Sequence, residues 1–178
     1  MKKLFSSAIL VLSLLNFSTA SSEVKPHVTM NITDTNGTSY EIKSTPLGLE
    51  IDKLKGKVIF LEFFGHSCPP CLMSIPHLIH LQEKHKDKLA IIAIEVQGYN
   101  NAETKEFAKK KGINYITVSE EKSQQFIQHI SQRAQWQGSI PFLVAMDTNG
   151  NVQHVQAGML PESALEELIQ KLSKPSKK

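Results

Sequence analysis

Two cysteines are all this 178-residue chain has, and they stand three positions apart. A staple that closes a loop of about four residues yields only about 2 kcal/mol in the chain-entropy model, which disfavours a structural disulfide and points to chemistry. No apolar run reaches the roughly 20 residues of a comfortable membrane span. No internal period of 20–50 residues is present, which excludes a repeat array. Nor is there a marked excess of charge. The net charge is +3, and falls to +1 once residues 1–20, with Lys2 and Lys3, are set aside, so nothing argues for a nucleic-acid partner.

What remains is ordinary globular composition, 40% hydrophobic and 21% charged, in a chain long enough for one domain with a sizeable core. The N-terminus is a separate matter. Lys2 and Lys3 precede the apolar stretch Leu4 to Leu15, and Ser18-Thr19-Ala20 follows with small residues. This is the pattern of a cleavable secretory signal over 1–20, with an uncleaved anchor as the alternative. It implies an exported, periplasmic or otherwise extracytoplasmic protein. No cysteine lies near the cleavage point, so no lipid anchor is expected.

Residues 21–27 read as a linker and 28–172 as one domain. Val28 to Ser44 reads as a hairpin around Asn36-Gly37. Val58-Ile59-Phe60-Leu61-Glu62-Phe63-Phe64 is short, nearly all apolar and rich in β-formers, which predicts a central strand buried on both faces. Gly65 ends it. The helix that follows carries Leu72, Ile75, Leu78 and Ile79 on one face, with Pro76 as a kink. Leu89 to Ile94 predicts a second buried strand, Asn101 to Lys111 a helix stopped by Gly112, and Ile113 to Val118 a third strand. Glu120 to about Gln135 predicts one helix. Phe142 to Met146 and Val152 to Val155 predict a hairpin joined at Asn149-Gly150, and Pro161 to Leu172 a closing helix. Alternating strands and helices with a late hairpin imply an α/β fold, a central mixed sheet flanked by helices on both faces.

Cys68-Pro69-Pro70-Cys71 falls between the buried strand and its helix. Cys68 therefore sits at the helix N-terminus, where free amides and the macrodipole favour a thiolate able to attack a disulfide. Cys71, one turn on, is placed to attack the resulting mixed disulfide. Pro69 and Pro70 suit a first turn, where missing N–H groups cost little, and they also remove two donors from the thiolate. Half of a zinc site is the bland alternative. It needs two further ligands, and His66, His77 and His80 are the nearest imidazoles. Glu62 lies in an apolar run, so burial should raise its pKa and suit it to accept a proton from Cys71. His66 lies beside the dithiol, as a tuning group or a plain surface residue.

The stretch Val58 to Pro76 resembles the thioredoxin superfamily: an acid six residues before the first cysteine, the CxxC dithiol, and a proline five residues after the second. Ser139-Ile140-Pro141 before a strand resembles that family's cis-proline loop. The Asn36-Gly37 hairpin, Leu54-Lys55-Gly56-Lys57 and the CPPC motif resemble its exported TlpA-like and ResA-like branch, whose extra helix and strand fit between Ala93 and Val118. The resemblance implies a thioredoxin-like fold with an N-terminal β-hairpin extension. It implies a protein thiol–disulfide oxidoreductase with Cys68 as nucleophile, Cys71 as resolving thiol and Glu62 as proton acceptor. Pro141 would be cis, and Ile140 would offer its backbone to a substrate strand. The implied partners are proteins with thiols or disulfides and a membrane redox partner; no cofactor beyond the disulfide and no metal is expected. A reductase, for example in cytochrome c maturation or disulfide repair, is the expected direction. A disulfide-introducing oxidase and a thiolate copper-binding module remain as alternatives. Peroxidases of this fold use an arginine, and the only one here, Arg133, is far from the dithiol in sequence. The branch usually has tryptophan before the first cysteine and an acid three residues after the second. Here Ser67 and Ser74 stand there, departures from the pattern of the cytochrome-maturation reductases that leave the dithiol chemistry untouched.

Overall fold

The computed structural model describes residues 28–174. The expected export signal, the linker 21–27 and the end of the basic tail lie outside the described residues.

Two fully buried strands set the frame. β4 (Val58–Phe64) and β5 (Leu89–Glu95) have every residue buried and pair in parallel, which requires cover on both faces. β6 (Ile116–Val118) extends the sheet beside β5, and β7 (Phe142–Met146) pairs antiparallel with β4. β8 (Val152–Ala157) closes it, giving the order β6-β5-β4-β7-β8. Before them, β1 (Thr29–Thr33), β2 (Ser39–Ser44) and β3 (Leu49–Glu50) form a three-stranded antiparallel sheet.

The side-chain alternation of β4 divides the core. Ile59, Leu61 and Phe63 pack with Met30, Ile32 and Ile42 of the extension and with Phe126 and Ile130 of α3 (Gln124–Ala134). Val58 and Phe60 pack on the other face with Leu78 and Leu81 of α1 (Pro69–Lys84) and with Leu165, Ile169 and Leu172 of α4 (Glu162–Leu172). Each such fully buried side chain contributes about 1.5–3 kcal/mol. α2 (Asn101–Lys111) opens on a capping box between Asn100 and Glu103, ends at left-handed Gly112 and packs beside β6.

The structure differs from the sequence reading in three places. The helix expected from Glu120 to Gln135 is broken: a 3-10 turn spans Glu120–Lys122, and α3 begins only after Ser123. The Ser123 hydroxyl donates to the Ser119 carbonyl at 2.8 Å, which offers the backbone a partner outside the helix. The third strand is only Ile116–Val118, because Ile113 is used to close α2 through its N–H to the Ala108 carbonyl at 3.0 Å. The two-residue β3 carries too little pattern to be read in advance.

Candidate active site

Cys68 caps α1, and its sulfur accepts the Cys71 N–H at 3.3 Å. The two cysteines form a disulfide with Cα atoms 5.2 Å apart. Pro69 and Pro70 occupy the first turn, exposed, where an N–H would have no helical partner. Cys71 is fully buried and Cys68 is 6% exposed. Phe64 and Ala93 from the sheet pack on them, with Phe107, Tyr115 and Ile140 alongside.

The approach to the dithiol is clamped from the end of β5. Glu95, wholly buried, accepts the His66 ring Nδ1–H at 2.8 Å, the Gln97 N–H at 3.0 Å and the Tyr99 N–H at 2.9 Å. The His66 ring stacks on Tyr99, centroids 3.5 Å apart and planes within 2°. Gln97 Oε1 accepts the Ser67 N–H at 2.9 Å. His66 is therefore neither a free surface residue nor a loose neighbour of the sulfurs; its ring is turned to Glu95. Sequence reasoning missed Glu95, Gln97 and Tyr99, which lie about thirty positions away and arrive through the register Phe64↔Glu95. One signal was available: Glu95, like Glu62, is a lone acid in a run of otherwise apolar strand residues.

Gly65 completes the clamp, since a Cβ there would stand 2.2 Å from the Gln97 side chain. Gly65→Ala is expected to push that amide off the Ser67 N–H. Thiol-exchange rates measured with dithiothreitol should fall several-fold, while the unfolding midpoint of the oxidised protein moves little.

Glu62 shares with Phe64 the face of β4 that meets α1, one strand repeat away from the cysteines. It is 5% exposed, and burial pushes its carboxyl up from the usual 4.5 to about 8. It lines a narrow slot of about 10 Å³ together with Ser74, Pro141, Leu143, Gly158 and Met159. Burial and the charge of Glu62 raise the Tyr115 hydroxyl as well.

The Ile140–Pro141 peptide is cis, and the Pro141 carbonyl accepts the Gly158 N–H at 2.8 Å. The fold thus gathers Cys68, Cys71 and Ile140 into one cluster, and Glu62 and Pro141 onto one slot. Arg133 lies elsewhere: its guanidinium donates to Ser44 Oγ and to the carbonyls of Thr45 and Pro46. Among the described residues no group of three or more His, Cys, Asp or Glu is arranged to hold a metal ion, and no helix is long and apolar enough to cross a membrane.

A strand leading into a disulfide at a helix N-terminus, beside a cis-proline loop on a mixed sheet, defines the class: a thiol–disulfide oxidoreductase of the thioredoxin superfamily. A family model described as Redoxin matches residues 22–169, and the chain belongs to that family. The chain is similar to the thiol-disulfide oxidoreductase ResA of Bacillus cereus, 30% identical over 126 residues that span 70% of this chain and 69% of the relative. ResA of Halalkalibacterium halodurans is 28% identical over 130 residues, 71% of this chain and 68% of that one. Among solved structures, a thioredoxin-family thiol:disulfide interchange protein from Chlorobium tepidum TLS shares the fold, with a TM-score of 0.62, 22% identity and coverage of 84% of this chain and 96% of the other. StoA from Bacillus subtilis shares it too, with a TM-score of 0.59, 16% identity and coverage of 79% and 96%.

Proposed function

We propose that this protein is an exported reductase that passes electrons from a membrane donor to disulfides in client proteins. The observation that carries the direction is the poverty of donors at Cys68. A dithiol becomes a strong oxidant when its reduced form is stabilised, chiefly by groups that hold the thiolate. Here Pro69 and Pro70 offer no N–H, and among the described residues Cys71 supplies the hydrogen bond to the sulfur. Phe64, Ala93, Phe107, Tyr115 and Ile140 pack on the pair, and the nearest imidazole in sequence, His66, is engaged by Glu95. A thiolate supported by so few donors favours the disulfide, so the reduced protein readily gives its electrons away.

In the reaction, the Cys68 thiolate attacks one sulfur of the client disulfide. A mixed disulfide forms and the client's second sulfur leaves as a thiolate. Cys71, its proton taken by Glu62 directly or through water, then attacks the Cys68 sulfur and releases the client dithiol. Two electrons pass to the client, and the Cys68–Cys71 disulfide re-forms. Ile140 presents its backbone to the client strand beside Pro141. The sequence pattern of residues 1–20 supports the exported location, and apocytochrome c and misoxidised proteins are the client classes that fit.

Equilibration of the Cys68–Cys71 pair with dithiothreitol or glutathione tests the direction. A potential near the thioredoxin end, about −270 mV, is the expected result. A value near −120 mV would make the protein a disulfide donor instead. Failure of the pair to exchange at all would overturn the oxidoreductase reading.

A further inference from the structure

The single tryptophan of the chain stands five residues before Pro141. α3 ends at Ala134 and is capped by Gln135, which turns left-handed with φ of 52°, and the Trp136 N–H returns to the Ser131 carbonyl at 3.0 Å. The turn drives the indole inward, where it is 8% exposed. Its ring lies 4.6 Å from that of Phe63 on β4 and 5.5 Å from that of Phe142 on β7, measured between centroids. Both rings are fixed in the sheet, so the indole is held like a core residue.

Its polar edge points the other way. Nε1–H donates to the Ser139 carbonyl at 2.7 Å, a short bond for an N–H donor. The segment so gripped is otherwise poorly held. Gln137, Gly138 and Ser139 are all exposed, and Gly138 has φ of 86°. Among the described residues, the indole bond is the side-chain bond that ties this stretch to the core. It acts on the peptide group that joins Ser139 to Ile140.

We propose that Trp136 is the positioning residue of the client-binding loop: its indole N–H fixes the Ser139–Ile140 peptide so that the backbone of Ile140 faces the client strand in one orientation. This rests on the reading of Ile140 and Pro141 as the client-binding segment. Trp136 touches neither sulfur nor client in this scheme. Its removal should therefore change client affinity and leave disulfide chemistry alone.

The test is Trp136→Phe, which keeps an aromatic ring between Phe63 and Phe142 and deletes the donor. With a protein-disulfide client, KM is expected to rise roughly 3- to 10-fold, the worth of one hydrogen bond, with kcat unchanged. The rate of reduction by dithiothreitol and the reduction potential should match those of the parent protein. An unchanged KM, or a loss shared equally by the dithiothreitol reaction, would overturn the proposal. If the phenylalanine variant folds poorly, 3-benzothienylalanine at position 136 preserves the ring volume and lacks the N–H. NMR relaxation of the Gly138, Ser139 and Ile140 amides decides the matter independently of turnover. The proposal requires those amides to gain mobility in the variant, and equal mobility would refute it. Absence of client turnover by the parent protein would count against the proposed function, and the relaxation result would still judge Trp136.

Discussion

With Cys71 replaced by serine, the protein is expected to stop halfway through its reaction. Cys68 can still open a client disulfide, because the attacking sulfur, its helix N-terminus and the apolar bed around it are unchanged. The second attack has no sulfur to make it. Steady-state turnover should drop on the order of a thousandfold or more, since the two cysteines act as a unit and the loss of either removes the whole cycle. A covalent adduct between Cys68 and the client should accumulate, visible by mass spectrometry or on a non-reducing gel and released by dithiothreitol. Cys68→Ser should give the same loss of turnover with no adduct. Adducts of equal yield from both variants would reverse the assignment of nucleophile and resolving thiol. The burial of Cys71, complete where Cys68 is 6% exposed, is why one of the pair meets the client and the other waits beneath it.

Replacing Glu62 by glutamine is expected to change how stability responds to pH. In the oxidised protein no cysteine titrates, so the dithiol adds nothing to the pH response, and comparison with the variant isolates the carboxyl. Its pKa is 4.5 in the unfolded chain and about 8 in the folded one, raised by burial. Between those values the folded chain holds a proton that the unfolded chain has lost. Stability therefore falls as pH rises through this window; below it both states are protonated, and above it both are ionised. The full difference is on the order of 5 kcal/mol. Resistance of the oxidised wild type to denaturation should weaken steadily from pH 5 to 8, and the Glu62→Gln protein should show that decline largely removed. Equal slopes would mean that Glu62 is not the group responsible. The same substitution should slow release of the mixed disulfide by up to about a hundredfold near neutral pH, because Cys71 loses its proton acceptor. Stability gained and speed lost at one position is the expected signature of a buried base.

Much of this was legible in the residues, for identifiable reasons. Val58 to Phe64 is apolar on both alternating faces, and no exposed strand reads that way. The Cys68-Pro69-Pro70-Cys71 run carries its own helix start, because proline is tolerated in the first turn and scarcely elsewhere in a helix. Local pattern sufficed there. It failed where tertiary contacts decide. Ser123 breaks a helix because its hydroxyl finds Ser119, a choice that propensity does not record. Glu95 and Gln97 grip the residues before Cys68 only because two strands pair in parallel at one register. Trp136 looks in sequence like an isolated aromatic after a helix; its partners Phe63 and Phe142 come from two separate strands.

The seam between the N-terminal sheet and the larger one has a consequence of its own. Leu49 N–H meets the Gly150 carbonyl at 2.9 Å, Val152 N–H meets the Leu47 carbonyl at 2.9 Å, and Gly48 pairs with Asn151. The backbones approach so closely that a Cβ on Gly48 would lie 2.0 Å from the Gly150 carbonyl oxygen. Together with the shared packing on Ile59, Leu61 and Phe63, the seam makes the first strands and the last hairpin parts of one cooperative unit. The extension and the last hairpin, far apart in sequence, are therefore expected to open together rather than singly, while the core between β4, α1 and α4 on the other face of the sheet contains no residue of the extension.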